Sequence, residues 1–148
     1  MANFTQNSRN MKNQMNSVTY AEKKTSFPFG DNQIIGFFGE TVVENWKQEN
    51  TPEDAPAITG YQYTGPRKDG GTLLPCSNPA DYGELTNSII RSRYSASEEM
   101  AIHRHYQNSF QEYEEEWNEY NAFCEQAKTL AKQWLGIVYL FFMVFRLF

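Results

Sequence analysis

The segment AIHRHY holds two histidines, which are candidates for chemistry because imidazole binds metals and exchanges protons near neutral pH. His103 and His105 lie two positions apart. On a helix such positions point about 200° apart, so the two rings cannot share one ion. Glu99 and His103 have the better i, i+4 spacing, but no third ligand lies near them in the sequence. We therefore expect a solvated helix face with an ion pair, and neither a metal nor a cofactor.

The loop GPRKDGGT, residues 65–72, has the glycine spacing of a phosphate-binding loop. Such a loop needs a lysine at the position that Gly71 occupies, and a helix should begin at once. Pro75 and Cys76 follow instead. The sequence therefore predicts a turn with Asp69 and the two glycines after it at the tip.

Seven glutamates lie among residues 98–120, against a single arginine. Carboxylates serve in acid/base catalysis only where burial or opposed surroundings separate their pKa values. Here Tyr113 and Trp117 mark the apolar side of the expected helix, so most of the glutamates belong to a solvated acidic face. The alternative is a docking surface for a basic partner. The net charge of the whole chain is −5, which argues against nucleic acid as that partner.

Neither cysteine has the spacing of a reactive or disulfide-bonded pair. Cys76 and Cys124 form no CxxC motif, and we expect both to be free thiols. Arg91 and Arg93 form a basic cluster, and should face water or pair with Glu98 and Glu99. No nucleophile motif is present, so the chain is not expected to be an enzyme.

The N-terminal part of the chain predicts little regular structure. Residues 1–26 are rich in asparagine and poor in large apolar residues, which predicts a disordered arm without a signal peptide. Residues 27–57 hold short apolar clusters, either two strands or a segment that docks on a partner, and then an acidic, proline-containing linker.

Residues 58–136 predict a hairpin followed by a helical domain. Alternating residues around Tyr61 and Tyr63, a turn-rich PRKDGG and a second apolar run favour the hairpin. Three capping spacings then predict three helix starts: Asp81 with Glu84, Ser95 with Glu98, and Ser109 with Glu112. The expected fold is mainly α, with one long C-terminal helix.

The long helix carries a heptad seam, in which apolar residues recur at alternating steps of four and three. We use the term heptad seam for Tyr106, Phe110, Tyr113, Trp117, Tyr120, Cys124, Ala127, Ala131, Trp134 and Val138. We expect it to pack on the two shorter helices first and to self-associate second. The residues expected to bind a partner are Tyr113, Trp117, Tyr120, Trp134 and Leu135, because large aromatic side chains contribute most contact area.

The apolar tail, residues 137–148, continues this period. Fifteen residues from Trp134 to Phe148 span about 22 Å as a helix, whereas a bilayer core is about 30 Å thick. We expect an association surface, with lipid as the alternative. Contact with a membrane, such as the inner membrane of a bacterial host, would then be made by Val138, Tyr139, Phe141, Phe142 and Phe145.

Residues 58–137 resemble a known group of proteins as a set. The segments TGYQYTGPRKDGGTLLPC, DYGELTNSIIRSRYSASEEMAIHRHY and EEEWNEYNAFCEQAKTLAKQWLG resemble small uncharacterised proteins from the tail gene region of phages and prophages of gut Bacteroidetes. The resemblance implies a virion component, a tail-fibre assembly factor or an accessory of host recognition, located in the virion or the host cytoplasm. It brings no catalytic residues. The expected function is thus a non-enzymatic structural or interaction protein that binds partner helices or its own copies.

Overall fold

The computed structural model describes residues 14–136, and within them it contains six strands and three helices in an α+β fold. One sheet has the strand order β1-β5-β4 and the other has the order β2-β3-β6. The prediction of a mainly α fold is therefore wrong. The elements are β1 (Asn16–Tyr20), β2 (Ser26–Pro28), β3 (Gln33–Gly36), β4 (Thr41–Trp46), β5 (Ile58–Gly65), β6 (Thr72–Pro75), α1 (Tyr82–Arg91), α2 (Ala96–Ser109) and α3 (Glu114–Leu135).

Strand β1 lies within the segment that was predicted to be a disordered arm. It pairs with β5 in antiparallel register, with Val18 opposite Tyr63 and Tyr20 opposite Tyr61. The prediction is wrong for these residues, because the alternation in NSVTY stabilises a strand only once a partner more than 40 positions away is in place. Residues 1–13 of the arm lie outside the described part of the chain. The clusters of residues 27–57 form strands, as one of the two alternatives predicted.

The predicted hairpin does not form, although both of its strands do. Strand β5 is the central strand of its sheet and pairs with β1 on one side and β4 on the other. No edge of β5 is left for β6, which joins the sheet with β2 and β3 instead. Strand β4 carries a bulge between Val43 and Trp46, where Asn45 has a positive φ of 54°.

The predicted turn is present between β5 and β6, and its polar groups are satisfied internally. Asp69 Oδ1 accepts a hydrogen bond from the Gly71 amide at 2.9 Å, and Arg67 Nε lies 3.3 Å from the same oxygen. A Cβ on Gly65 would lie 2.4 Å from the Gly71 carbonyl oxygen. The glycines therefore serve close backbone packing, and the Gly71 amide is occupied rather than aimed at a phosphate.

The chain divides into two compact units, of which the first contains residues 14–27 and 35–73. Its core is aromatic. Phe37 contacts Tyr63 and Tyr20 edge to face, with ring centroids 5.5 and 5.8 Å apart. The Tyr63 hydroxyl donates to Glu40 Oε1 at 2.7 Å and accepts from the Lys24 amide at 2.8 Å, so the phenol of this fully buried ring is satisfied.

The second unit contains residues 28–34 and 74–136, with the three helices. The first two predicted starts are confirmed: Asp81 caps α1, and Ser95 with Glu98 forms a complete capping box on α2. The third is wrong, because α2 runs to Ser109 and α3 begins after Tyr113 without a side-chain cap. The period of the heptad seam conceals this break, since Tyr106 and Trp117 lie on different helices.

Helix α3 packs against both shorter helices, which confirms the first of the two expected uses of the heptad seam. Lys132 lies over the Tyr82 ring at the start of α1, whereas Tyr94, just after α1, contacts Tyr120. The two helices are therefore antiparallel. Ala127 and Ala131 are fully buried on α3, and such small residues allow close approach of a neighbouring helix.

We expect Gly65→Ala to lower the free energy of unfolding by about 2 kcal/mol, because two backbone carbonyl oxygens lie within 2.6 Å of the new methyl group. Gly83→Ala in α1 is the control, since its nearest neighbour is the Asp81 side chain at 3.3 Å and alanine favours a helix. Urea unfolding would show a lower midpoint for the first variant only. Equal midpoints would contradict the close packing at Gly65.

Candidate functional site: the aromatic contact between α2 and α3

Four aromatic side chains form a continuous series between α2 and α3, which we call the aromatic ladder: Phe110, Tyr106, Trp117 and Tyr120. Phe110 meets Tyr106 edge to face at 5.0 Å, and Tyr106 stacks on Trp117 with centroids 4.1 Å apart and planes at 23°. Trp117 in turn lies 5.8 Å from Tyr120. Because residues late in α2 contact residues early in α3, the two helices form an antiparallel pair.

Exposure rises steadily along the aromatic ladder. Tyr120 is 6% exposed, Trp117 is half-buried, and Tyr106 and Phe110 are 36% and 45% exposed. Aromatic rings usually lie in the core or in an interface, because each buries a large apolar area. The outer end of the aromatic ladder thus presents apolar surface held by ring contacts with the core.

Both histidines pack on aromatic rings at the start of α3, one within the helix and one just before it. His103 lies edge to face with Trp117 at 5.2 Å, and His105 stacks on Tyr113 at 4.1 Å. His105 Nδ1 also lies 3.0 Å from Glu116 Oε2. The two rings have different partners, as their spacing predicted, but the contact of His105 with Glu116 was not among the pairs expected from the sequence.

The inner end of the aromatic ladder is fixed by a carboxylate. Glu99 Oε1 accepts a hydrogen bond from Arg91 Nη2 at 2.9 Å, and Glu99 Oε2 accepts one from the Tyr120 hydroxyl. The pairing of Arg91 with Glu99 was predicted. Arg93 instead reaches Glu119 on α3, with Nη2 2.8 Å from Oε1.

The pKa values of Glu99 and Tyr120 are shifted in opposite directions. Burial raises the pKa of Glu99, but the hydrogen bonds from Tyr120 and Arg91 outweigh burial and hold that pKa below its ordinary value. Burial, and then the hydrogen bond to Glu99, raise the pKa of the Tyr120 phenol. Near neutral pH the carboxyl is ionised and the phenol protonated, so neither is suited to general acid or base catalysis. The pair fixes the position of Tyr120.

The residues predicted to bind a partner do not form one surface. Tyr120 is buried, while Tyr113 and Trp117 are half-buried against α2. Trp134 and Leu135 are half-buried at the other end of α3, about 25 Å along the helix from Trp117.

Tyr106 and Phe110 lie on the heptad seam but were not among the five residues predicted to bind a partner. Their spacing was visible, and the break between α2 and α3 that exposes them was not. The residues proposed for membrane contact, Val138, Tyr139, Phe141, Phe142 and Phe145, lie outside the described part of the chain.

Other kinds of site find no support among residues 14–136. In that range no group of three or more His, Cys, Asp or Glu side chains could hold a metal ion. Both cysteines there are free thiols, as predicted. None of the three helices described is long and apolar enough to cross a membrane.

Comparisons with protein-family models, with curated proteins and with solved structures give no match for this chain.

We expect Glu99→Gln to lower the free energy of unfolding at pH 7 by about 1–3 kcal/mol, because two donors lose a charged acceptor. The pKa of Glu99 is lower in the folded chain than in the unfolded chain. Its ionisation therefore stabilises the fold above the unfolded pKa of about 4.3, and this contribution is lost as pH falls through the folded value.

Urea unfolding at pH 7 and pH 3 would measure this effect. Between these pH values the wild type should lose more stability than Glu99→Gln. The exposed Glu112→Gln should keep the wild-type pH dependence. A Glu99→Gln variant with the same loss as wild type would refute a folding role for this carboxylate.

Proposed function

We propose that this chain is a non-enzymatic interaction protein that binds a helix of a partner protein through the outer end of the aromatic ladder. The observation that carries the proposal is the exposure of Phe110 and Tyr106, at 45% and 36%, on a support formed by the half-buried Trp117 and the buried Tyr120. Interface hot spots are aromatic side chains of this kind, partly exposed in the free protein and held in position before binding.

The arrangement of the contact favours a helical partner. Phe110 and Tyr106 lie one helical turn apart, at the end of an antiparallel helix pair. An amphipathic helix places its apolar residues at the same i, i+4 spacing, so its rings or leucines can contact both side chains together. This surface differs from the set of five residues predicted from the sequence. Of those five, Trp117 and Tyr120 support the exposed rings of the aromatic ladder.

The setting of a phage tail rests on the resemblance of residues 58–137 alone. A tail-associated or tail-fibre-assembly accessory would meet its partner in infected cells or in the virion. Co-purification of the protein with phage particles, or with tail assembly intermediates, would support this part of the proposal. Its absence from both would remove the phage setting and leave the binding surface unaffected.

We expect a photo-crosslinking residue at position 110 to capture one partner protein in infected cells, whereas the same residue at position 100 should not. Met100 is the matched control, because it lies on the same helix and is 62% exposed. The captured protein should then be purified and titrated with the full-length chain. Phe110→Ser should weaken its binding at least about tenfold, which corresponds to about 1.4 kcal/mol.

Equal affinity of the wild type and Phe110→Ser would refute this contact. Light scattering at two protein concentrations tests self-association separately. A mass that rises with concentration, and no longer does so in Phe110→Ser, would identify a second copy as the occupant.

A further inference from the structure

A groove of about 260 Å³ lies on the pair formed by α2 and α3, and its lining combines apolar and acidic residues. Glu98, Ala101 and Ile102 contribute from α2, Glu116 and Glu119 from α3, and Tyr94 from the turn before α2. Ile102 is buried and Tyr94 and Ala101 are half-buried, so they provide an apolar lining. Three carboxylates accompany them.

The size of the groove limits what it can receive. Small-molecule sites usually have volumes of about 300–1,000 Å³ and enclose most of the ligand. A groove of 260 Å³ that is open to solvent is small for such a ligand, but it accommodates one long side chain. We therefore consider a side chain of another protein as the occupant.

The three carboxylates determine which charge that side chain should carry. Within residues 14–136 Glu98 Oε2 bonds to the Ser95 amide at 3.3 Å, Glu116 contacts His105, and Glu119 pairs with Arg93. A carboxylate accepts about four hydrogen bonds, so all three retain acceptor capacity. None of the six lining residues is basic. A cationic side chain is the complement to this remaining acceptor capacity.

The chain already shows how this lining binds a guanidinium group. Arg93 donates to Glu119 at 2.8 Å, and its guanidinium carbon lies 5.4 Å from the centroid of the Tyr94 ring. Glu119 and Tyr94 thus hold one guanidinium by an ion pair and a cation–π contact together. Arg93 is not itself a lining residue, and an incoming guanidinium would share Glu119 with it.

We infer that this groove receives an arginine side chain of the partner protein, with the methylene groups along Ala101 and Ile102 and the guanidinium among Glu98, Glu116 and Glu119. Arginine fits because its aliphatic part covers apolar surface while its planar head bonds to carboxylates. The inference rests on the proposed function, since it assigns a chemical feature to the same kind of partner. It requires no contact with Phe110.

The test is an NMR titration of the full-length ¹⁵N-labelled chain with the peptide acetyl-Gly-Gly-Arg-Gly-Gly-amide. Saturable shifts at the amides of Tyr94, Ala101 and Ile102, with a Kd of about 1 mM, are the expected result for one exposed side chain. The same peptide with citrulline in place of arginine should bind at least about fivefold more weakly, because citrulline has the shape of arginine without its charge. Equal shifts with both peptides would overturn the inference.

Two pairs of charge-neutralising variants separate the groove from the general acidity of the surface. Glu116→Gln with Glu119→Gln should weaken binding at least about fivefold. Glu112→Gln with Glu115→Gln removes the same charge from exposed positions outside the groove and should change binding less than twofold. Equal weakening by both pairs would mean nonspecific attraction and would refute the site.

Ala101→Leu gives an independent measurement. It fills the groove without changing any charge, and leucine is a good helix former, so the fold should persist while the arginine peptide no longer binds. Retained binding in Ala101→Leu would exclude the groove as the site. These outcomes are distinct from those at Phe110. If Phe110→Ser bound the partner as tightly as the wild type while the arginine peptide still bound the groove, only the proposed function would be refuted.

Discussion

Strand β5 has both of its edges hydrogen-bonded, and the course of the chain depends on this constraint. Strand β1 pairs with residues 61–65 of β5 and β4 with residues 58–62, so each edge of β5 already has a neighbouring strand. The segment after β5 cannot fold back on it, although the turn chemistry of residues 65–72 favours a hairpin. The turn therefore leads β6 to β3, in the other sheet, and the helices follow from there.

The sequence predicted the features that depend on interactions between residues close together in the chain. The caps at Asp81 and Ser95 and the turn around Asp69 each depend on residues within a few positions, and each was predicted. Strand β1 and the second sheet depend on partners far along the chain, which no local pattern identifies. A mainly α fold was predicted because the caps and apolar spacing of a helix lie within a few residues of one another. Edge strands of three to five residues carry no such local pattern.

The candidate site was also only partly predictable from the sequence. Periodicity identified Trp117 and Tyr120 as residues that contact other helices, but it extended the helix through residues 110–113, where the chain turns. Heptad spacing persists across that turn because rings from both helices meet on one side of the pair. Exposure of Phe110, and the grouping of Glu98 with Glu116 and Glu119, arise only when α2 is folded against α3.

The bulge in β4 also affects how the protein behaves at high concentration. An outer strand with a regular ladder is a template for edge-to-edge aggregation, and a bulge bends the strand and spoils that template. Within the first sheet, β4 is interrupted at Asn45, whereas β1 keeps an unbroken register over its five residues. The two outer strands therefore differ in their capacity to recruit another chain. Work to improve solubility would begin with charged substitutions at the exposed Ser17 of β1.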